Sequence, residues 1–187
     1  MNTTLLVIIL AVVVIALGAV ALYLNYRSRR LRSKFGPEYT RAVEESGNKY
    51  RAEARLEKLE KRVEKFSIQP LSREAADRFR DSWRAIQAQF VDDPRTSLNS
   101  ADRLLSEVMS ARGYPVTDFE ERAEEISVHH ASVVDHYRAG HEIAVRHAQG
   151  HATTEDMRLA MIHYRTLFDD LVGAPEIVRV RGAGSSR

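Results

Sequence analysis

The chain has 187 residues, no cysteine and a formal net charge of +2. The absence of cysteine excludes a disulfide framework, thiol catalysis and cysteine-ligated metal sites. The charge is unevenly spread, because residues 1–34 carry five basic residues and no acidic one, whereas residues 35–172 carry 20 basic and 25 acidic residues. The basic excess therefore lies near the N-terminus, and the mildly acidic remainder argues against a general nucleic-acid binder.

The first predicted element is a transmembrane helix over residues 5–24. The twenty residues from Leu5 to Leu24 carry no charge, and as a helix they would span about 30 Å, the thickness of the hydrocarbon core of a bilayer. Tyr23 and Tyr26 follow at the level where aromatic rings prefer the headgroups. A buried helix of a soluble protein would be expected to contain some polar position, so the pattern favours an anchor.

A cleaved signal peptide is the main alternative for this segment. Ala19-Val20-Ala21 has the small-x-small form that signal peptidases recognise. Met1-Asn2-Thr3-Thr4, however, lacks the basic residues that usually precede the apolar part of a signal peptide. The anchor is therefore the preferred interpretation, and cleavage stays open.

A basic juxtamembrane linker is predicted over residues 25–36. Its positive charges all follow the apolar segment: Arg27, Arg29, Arg30, Arg32 and Lys34. The positive-inside rule then places the N-terminus outside the cell membrane and the soluble domain in the cytoplasm. The same cluster could bind anionic lipid headgroups, a role compatible with setting the topology.

A charged helix with heptad spacing is predicted within residues 37–66. Apolar residues step by four and three along it: Ala52, Leu56, Leu59, Val63 and Phe66. The flanks of this seam are sorted by sign. A basic row holds Arg51, Arg55, Lys58, Arg62 and Lys65, and an acidic row holds Glu53, Glu57, Glu60 and Glu64.

Two interpretations of the seam stay open. In a parallel coiled coil of two copies, Leu56, Leu59 and Val63 would form the contact, and Arg55 would pair with Glu60 of the partner copy. In the other, the apolar stripe packs onto its own domain and the charged rows face solvent. The seam is short for an independent coiled coil.

The remaining segments predict an all-α antiparallel helical bundle over residues 67–172, followed by a disordered tail over 173–187. Trp83 lies on the predicted core face of one helix, with Phe79, Ile86 and Phe90 at helical spacing. Further faces read Leu98, Ala101, Leu104, Leu105, Val108 and Met109, then Val134, Tyr137, His141 and Val145, then Met157, Met161, Tyr164, Phe168 and Leu171. Short Gly- and Pro-containing breaks separate these segments, which favours antiparallel neighbours.

Several short motifs of the soluble region are similar to one group of proteins. They are Phe90-Val91-Asp92-Asp93-Pro94, Ala101-Asp102-Arg103-Leu104-Leu105, Arg112-Gly113-Tyr114-Pro115, Tyr137-Arg138, Thr154-Glu155-Asp156-Met157-Arg158 and His163-Tyr164-Arg165-x-Leu167-Phe168. The chain thereby resembles a family of bacterial, often actinobacterial, proteins with an N-terminal hydrophobic segment and a helical domain, commonly labelled hypothetical, membrane or secreted. The resemblance implies the architecture and supplies no functional residues.

Motifs for catalysis are not recognised in the sequence. All seven histidines lie between residues 129 and 163, but only His147 and His151 have ligand spacing, and Gly150 separates them. The pairs Asp92-Asp93 and Asp169-Asp170 are better explained by helix ends, and Asp92-Asp93 precedes a helix N-terminus, where negative charge is favoured. We therefore expect no enzyme activity, no cofactor and no metal.

The function that these observations favour is a membrane-anchored interaction or scaffold domain. Its expected partners are the lipid bilayer and another protein, or a second copy as a parallel dimer, with no nucleic acid and no small-molecule substrate identified. One alternative is a metal- or ligand-binding regulatory domain using the histidine-rich segment 129–163. The other is a helical protein secreted after signal-peptide cleavage.

Overall fold

The computed structural model describes residues 3–115 and 117–173, with the backbone alone for residues 4–6. These residues form eight α-helices and no strand, which confirms the all-α prediction. The helices are α1 (Thr3–Phe35), α2 (Pro37–Ser46), α3 (Lys49–Val63), α4 (Arg73–Gln89), α5 (Pro94–Ala111), α6 (Phe119–His130), α7 (Val134–Ala148) and α8 (Thr154–Val172). The predicted tail lies outside the described residues from position 174 onward.

The helix starts follow the capping chemistry of the sequence. Ser72 accepts a hydrogen bond from the backbone N–H of Ala75, and Asp93 accepts one from Thr96. Thr153 and Asp156 form a reciprocal capping box at the start of α8. Side-chain oxygens at these positions satisfy backbone donors that lack a partner within the helix.

Helix α1 continues without a break through the segment predicted to be a linker. The prediction of a linker over residues 25–36 is therefore wrong as far as Phe35. No proline or glycine lies between Leu24 and Phe35, and arginine, leucine and lysine are strong helix formers. The helix ends where Gly36 adopts a positive φ of 51°.

The single charged helix predicted within residues 37–66 is two helices. Gly47 adopts a left-handed conformation that ends α2, and Asn48 then caps α3 by accepting from the backbone N–H groups of Tyr50 and Arg51. The two helices pack against each other as a hairpin. A glycine followed by asparagine thus ends one helix and begins the next.

The chain folds into two compact units. The first takes its described residues from the ranges 1–68 and 113–138, and the second takes them from 69–112 and 139–187. This division differs from the predicted one, which separated the charged helix from a single bundle over 67–172. Helix α6 belongs with α3, and the two are in contact, although 55 residues lie between Val63 and Phe119 along the chain. Local sequence patterns do not encode such a long-range contact.

The core of the first unit joins the end of α1 to α2, α3 and α6. Its buried cluster comprises Leu31, Phe35, Tyr39, Ala42, Ala52, Leu56, Leu59, Val63 and Val128, with Phe66 packed at its edge. The seam of α3 is therefore part of this core. Helix α1 contributes two of its members, Leu31 and Phe35, both fully buried.

The core of the second unit is built by α4, α5 and α8 together with residues 139–148. Trp83 stacks on Phe168 with ring centroids 4.7 Å apart. The predicted inward faces of α5 and α8 are buried as expected. Phe79 and Ile86 of α4 and Phe90 just after it are only half-buried, and Val145 is 42% exposed, so the sequence analysis placed those four positions too deep.

Candidate functional site: charged contacts of helix α3

The acidic row of α3 faces the basic end of α1. Glu57 accepts two hydrogen bonds from the Arg27 guanidinium, at 2.5 and 2.8 Å. Glu60 accepts from Arg30 at 2.5 Å and from Lys34 at 2.6 Å. Hydrogen bonding to Arg27 holds the pKa of Glu57 below its ordinary value. These paired charges fasten α3 to the helix that continues from the apolar segment.

A buried carboxylate completes this face of α3. Glu53 is 1% exposed and accepts hydrogen bonds from the Ser28 hydroxyl at 2.6 Å and the Tyr39 hydroxyl at 2.8 Å. The guanidinium of Arg32 lies over the Tyr39 ring, 5.3 Å from its centroid. A buried carboxylate is tolerated only when its oxygens are hydrogen-bonded, and the two hydroxyl groups meet that need. The contacts of Ser28 with Glu53 and of Arg32 with Tyr39 also connect α1 to the rest of the first unit.

Four of the five basic residues predicted to set the topology thus have partners in the first unit. Arg27, Arg30 and Lys34 pair with glutamates of α3, and Arg32 contacts Tyr39. Arg29 is exposed and has no acidic partner among the residues that the structure describes. The cluster is therefore a structural contact, a role that its sequence position did not indicate.

The basic row of α3 faces the acidic helix α6. Arg55 pairs with Glu45 of α2 at 3.2 Å and with Glu124 of α6. Arg62 pairs with Glu121 at 2.6 Å and with Glu125 at 3.1 Å. The sorting of charges along α3 therefore matches two neighbours of opposite sign, α1 on one side and α6 on the other.

These contacts correct the predicted self-association site. Leu56, Leu59 and Val63 are 2%, 5% and 1% exposed, because they pack in the core of their own chain. Arg55 and Glu60 are likewise paired with residues of the same chain. A coiled coil through this seam would require the first unit to open. The stripe packs onto its own domain, but several of the flanking charges, those of Arg55, Glu57, Glu60 and Arg62, are paired and do not simply face solvent.

A groove lies along the outer side of α3, and we call it the basic groove. It has a volume of about 550 Å³ and is lined by Arg55, Lys58, Leu59, Lys61, Arg62, Lys65 and Glu124. The three lysines are exposed, and none has an ion-pair partner within the described part of the chain. The sequence placed Lys58 and Lys65 in the basic row, without Lys61, and predicted no site there.

A second groove lies in the second unit between α4 and α8. Its volume is about 320 Å³, and Phe90, Met161 and Ile162 supply its apolar surface. Arg165 at its edge hydrogen-bonds Asp169 at 2.7 Å and Gln87 at 3.0 Å. Ile162 is 48% exposed, so the groove presents apolar surface beside paired polar groups.

Members of the two aspartate pairs and of the histidine cluster have structural contacts. Asp93 caps α5, and its bonds to Thr96 hold its pKa below the ordinary value. Asp169 pairs with Arg165. His129 lies 3.4 Å from the Tyr114 hydroxyl, and the Tyr114 and His130 rings are 6.4 Å apart. Across residues 3–115 and 117–173, no three histidine, aspartate or glutamate side chains are grouped to hold a metal ion.

The apolar part of α1 differs from a soluble core helix by its exposure. Its large apolar side chains from Val7 to Leu22 are 46–71% exposed, and Leu24 is half-buried. Leu5 lies where the structure describes only the backbone. Among the described residues, α1 is the helix long and apolar enough to cross a membrane.

No family model, curated protein or solved structure matches the chain. The similarity to actinobacterial proteins with an N-terminal hydrophobic segment therefore stays a prediction.

Proposed function

We propose that the chain is a single-pass membrane protein whose helical domain binds another protein beside the membrane. The observation that carries this proposal is the continuity of α1 from Thr3 to Phe35. Its apolar portion is exposed, whereas Leu31 and Phe35 are fully buried in the first unit. Lipid is the environment in which an exposed apolar helix of this length is stable.

The charged contacts of α3 make the anchor a rigid part of the first unit. From Leu24 to Phe35 the helix rises by about 16 Å, so the core of the first unit begins close to the membrane surface. Arg27 and Arg30 lie within this interval and are held by Glu57 and Glu60. The first unit, attached in this way, would keep a fixed orientation to the bilayer.

The proposed orientation places the N-terminus outside and the helical domain in the cytoplasm. Five basic residues follow the apolar segment and none precedes it. Basic residues near a membrane helix are retained on the cytoplasmic side, whereas acidic residues contribute little to orientation. The glutamates of α3 therefore leave the topological effect of these residues intact.

The groove of the second unit is the proposed contact for a partner protein. Its apolar residues, Phe90, Met161 and Ile162, lie beside the ionic contacts of Arg158 and Arg165. An amphipathic helix of a partner fits this combination, with apolar side chains in the groove and polar ones along its edge. The volume accommodates a few side chains rather than a large ligand.

Fractionation of cells that express the full chain tests the anchor. Arginine at Val13 and Ala16 costs about 5–7 kcal/mol of insertion free energy, so we expect the protein to move from the membrane to the soluble fraction. The control variant, Val13→Leu with Ala16→Leu, should remain in the membrane. Wild-type protein in the soluble fraction would reject the proposal.

Release by signal peptidase is the alternative, and it rests on Ala19-Val20-Ala21. Cleavage after Ala21 would leave Arg27, Arg30 and the buried end of α1 attached to the first unit. Mass spectrometry of the mature protein distinguishes the two outcomes. An N-terminus at Leu22 would assign the helical domain to the far side of the membrane, whereas an intact N-terminus supports the anchor.

A further inference from the structure

The basic groove carries more positive charge than the neighbouring carboxylates neutralise. Five cationic side chains line it together with one carboxylate, that of Glu124, which already pairs with Arg55. Arg62 is occupied by Glu121 and Glu125. Lys58, Lys61 and Lys65 have no ion-pair partner among the described residues. The unbalanced charge of the groove is therefore carried by these three lysines.

The three lysines follow one side of α3 and the turn after it. Their spacing of three and four residues brings the side chains to neighbouring positions, where like charges repel each other. Arg55 and Arg62 flank them and are held in place by the glutamates of α6. The result is a concave, cationic surface with paired arginines at its edges and exposed ammonium groups between them, an arrangement suited to an anion with several oxygens.

The position of the groove on the first unit relates it to the membrane. Lys61 acts electrostatically on the Glu57 carboxylate, which Arg27 holds. Arg27 follows Leu24, the last residue of the apolar run, by three residues, which is about 4.5 Å of helix rise. The membrane side of the groove is therefore near the level at which lipid phosphates lie.

We propose that the basic groove binds a phosphate group, and that its source is the headgroup of an anionic lipid. Lys58, Lys61 and Lys65 are the residues that contact the phosphate oxygens. This assignment differs from headgroup binding by the basic end of α1, where Arg27, Arg30 and Lys34 are already paired. Phosphate binding itself does not depend on the proposed function, whereas a lipid source rests on the membrane location.

Calorimetric titration of the full chain in a nonionic detergent tests the proposal. The probes are dihexanoylphosphatidylglycerol, dihexanoylphosphatidylcholine and inorganic phosphate. We expect saturable binding of the glycerol lipid and weaker binding of the choline lipid, whose ammonium group offsets the phosphate. Replacing Lys58, Lys61 and Lys65 by glutamine should weaken binding at least tenfold, since each lysine near an anionic surface contributes about 1 kcal/mol.

The matched control replaces Arg78, Arg95 and Arg103 by glutamine, which removes the same charge from exposed positions outside the groove. This variant should bind within about twofold of the wild type. Binding of inorganic phosphate with the same dependence on the lysines, and without lipid preference, would identify free phosphate as the source. Absence of saturable binding to any probe, or an equal loss in both triple variants, would overturn the proposal, whatever the outcome of membrane fractionation.

Discussion

The side chain of Glu125 is buried in a position where its charged form is unfavourable. It is 1% exposed, and burial raises its pKa from an ordinary 4.5 to about 7, although Arg62 lies 3.1 Å away. Between these two values the unfolded chain releases the proton and the folded chain keeps it. The free energy of unfolding therefore decreases as the pH rises from about 4.5 to about 7, and the loss persists above that range.

Glu125→Gln should abolish this part of the pH dependence. Glutamine resembles the protonated carboxyl group and still accepts a hydrogen bond from Arg62, so the variant should match the wild type near pH 4.5. At pH 8 it should be more stable, on the order of 1–3 kcal/mol. Thermal unfolding of both proteins at several pH values measures this difference. Exposed Glu107→Gln is the control, and a constant offset between wild type and E125Q would contradict the assignment.

Single residues that begin or end helices were predictable because their effects are local. Ser72, Asp93 and Thr153 cap the helices that follow them, as their side-chain chemistry requires. Asp118 caps α6 in the same way, by accepting a hydrogen bond from the backbone N–H of Glu121. Burial was less predictable for Val145, because an apolar residue at helical spacing is not always covered by a neighbouring element.

Helix α3 shows which property of an element the sequence specifies and which it leaves open. The 4-3 spacing correctly indicated a buried seam, and the two flanks were correctly seen to differ in sign. The same pattern is compatible with packing against a second copy or against two neighbouring helices of one chain. The acidic run of α6, Glu120, Glu121, Glu124 and Glu125, was the available signal, because it complements the basic row.

Reversing one charge on α3 tests whether the acidic row is paired with α1 or faces solvent. Glu60 is 5% exposed between Arg30 and Lys34, so Glu60→Lys brings three cations together and should cost about 2–4 kcal/mol of stability. Glu64→Lys makes the same change at an exposed position of the same row and should cost much less. Denaturant unfolding of the full chain in detergent compares them.

A compensating variant makes this prediction specific. Combining Glu60→Lys with Lys34→Glu restores an opposite pair across α1 and α3, and part of the lost stability should return. Equal effects of the changes at Glu60 and Glu64 would show that the row is solvated.

Leu59→Lys, by contrast, cannot test self-association, because Leu59 is buried in the first unit and its replacement would disrupt that core.

Most helices of the chain were predictable from the sequence, but the division of the chain into two units was not. Glycine and proline marked the helix boundaries well, so the all-α class and most helices followed from the sequence. The two units were missed because each is assembled from two separate stretches of chain. Hydrophobic spacing identifies the buried face of a helix, but the identity of its neighbour depends on contacts far apart in sequence.

At the scale of the whole molecule, we propose two separable roles for the basic residues that follow the apolar segment. If that segment is an anchor, as proposed, their number beside it would decide the orientation, and acidic residues would affect it little. Stability depends on the pairing of Arg27, Arg30 and Lys34 with α3. In the proposed topology, changes to the residues before the apolar segment would therefore alter the orientation without disturbing the stability.

Replacing Asn2, Thr3 and Thr4 by lysine should reduce or reverse the proposed orientation, because three basic residues would then compete with five. A compartment-sensitive reporter fused after Arg187 should indicate a cytoplasmic domain for the wild type and a substantial loss of that signal for the lysine variant. Glutamine at the same three positions is the control and should leave the signal unchanged. Glu57→Gln should likewise leave the orientation unchanged while lowering stability, since it removes only the partner of Arg27. A wild-type reporter on the far side would instead mean that the domain is exported, and its partners would then be sought outside the cytoplasm.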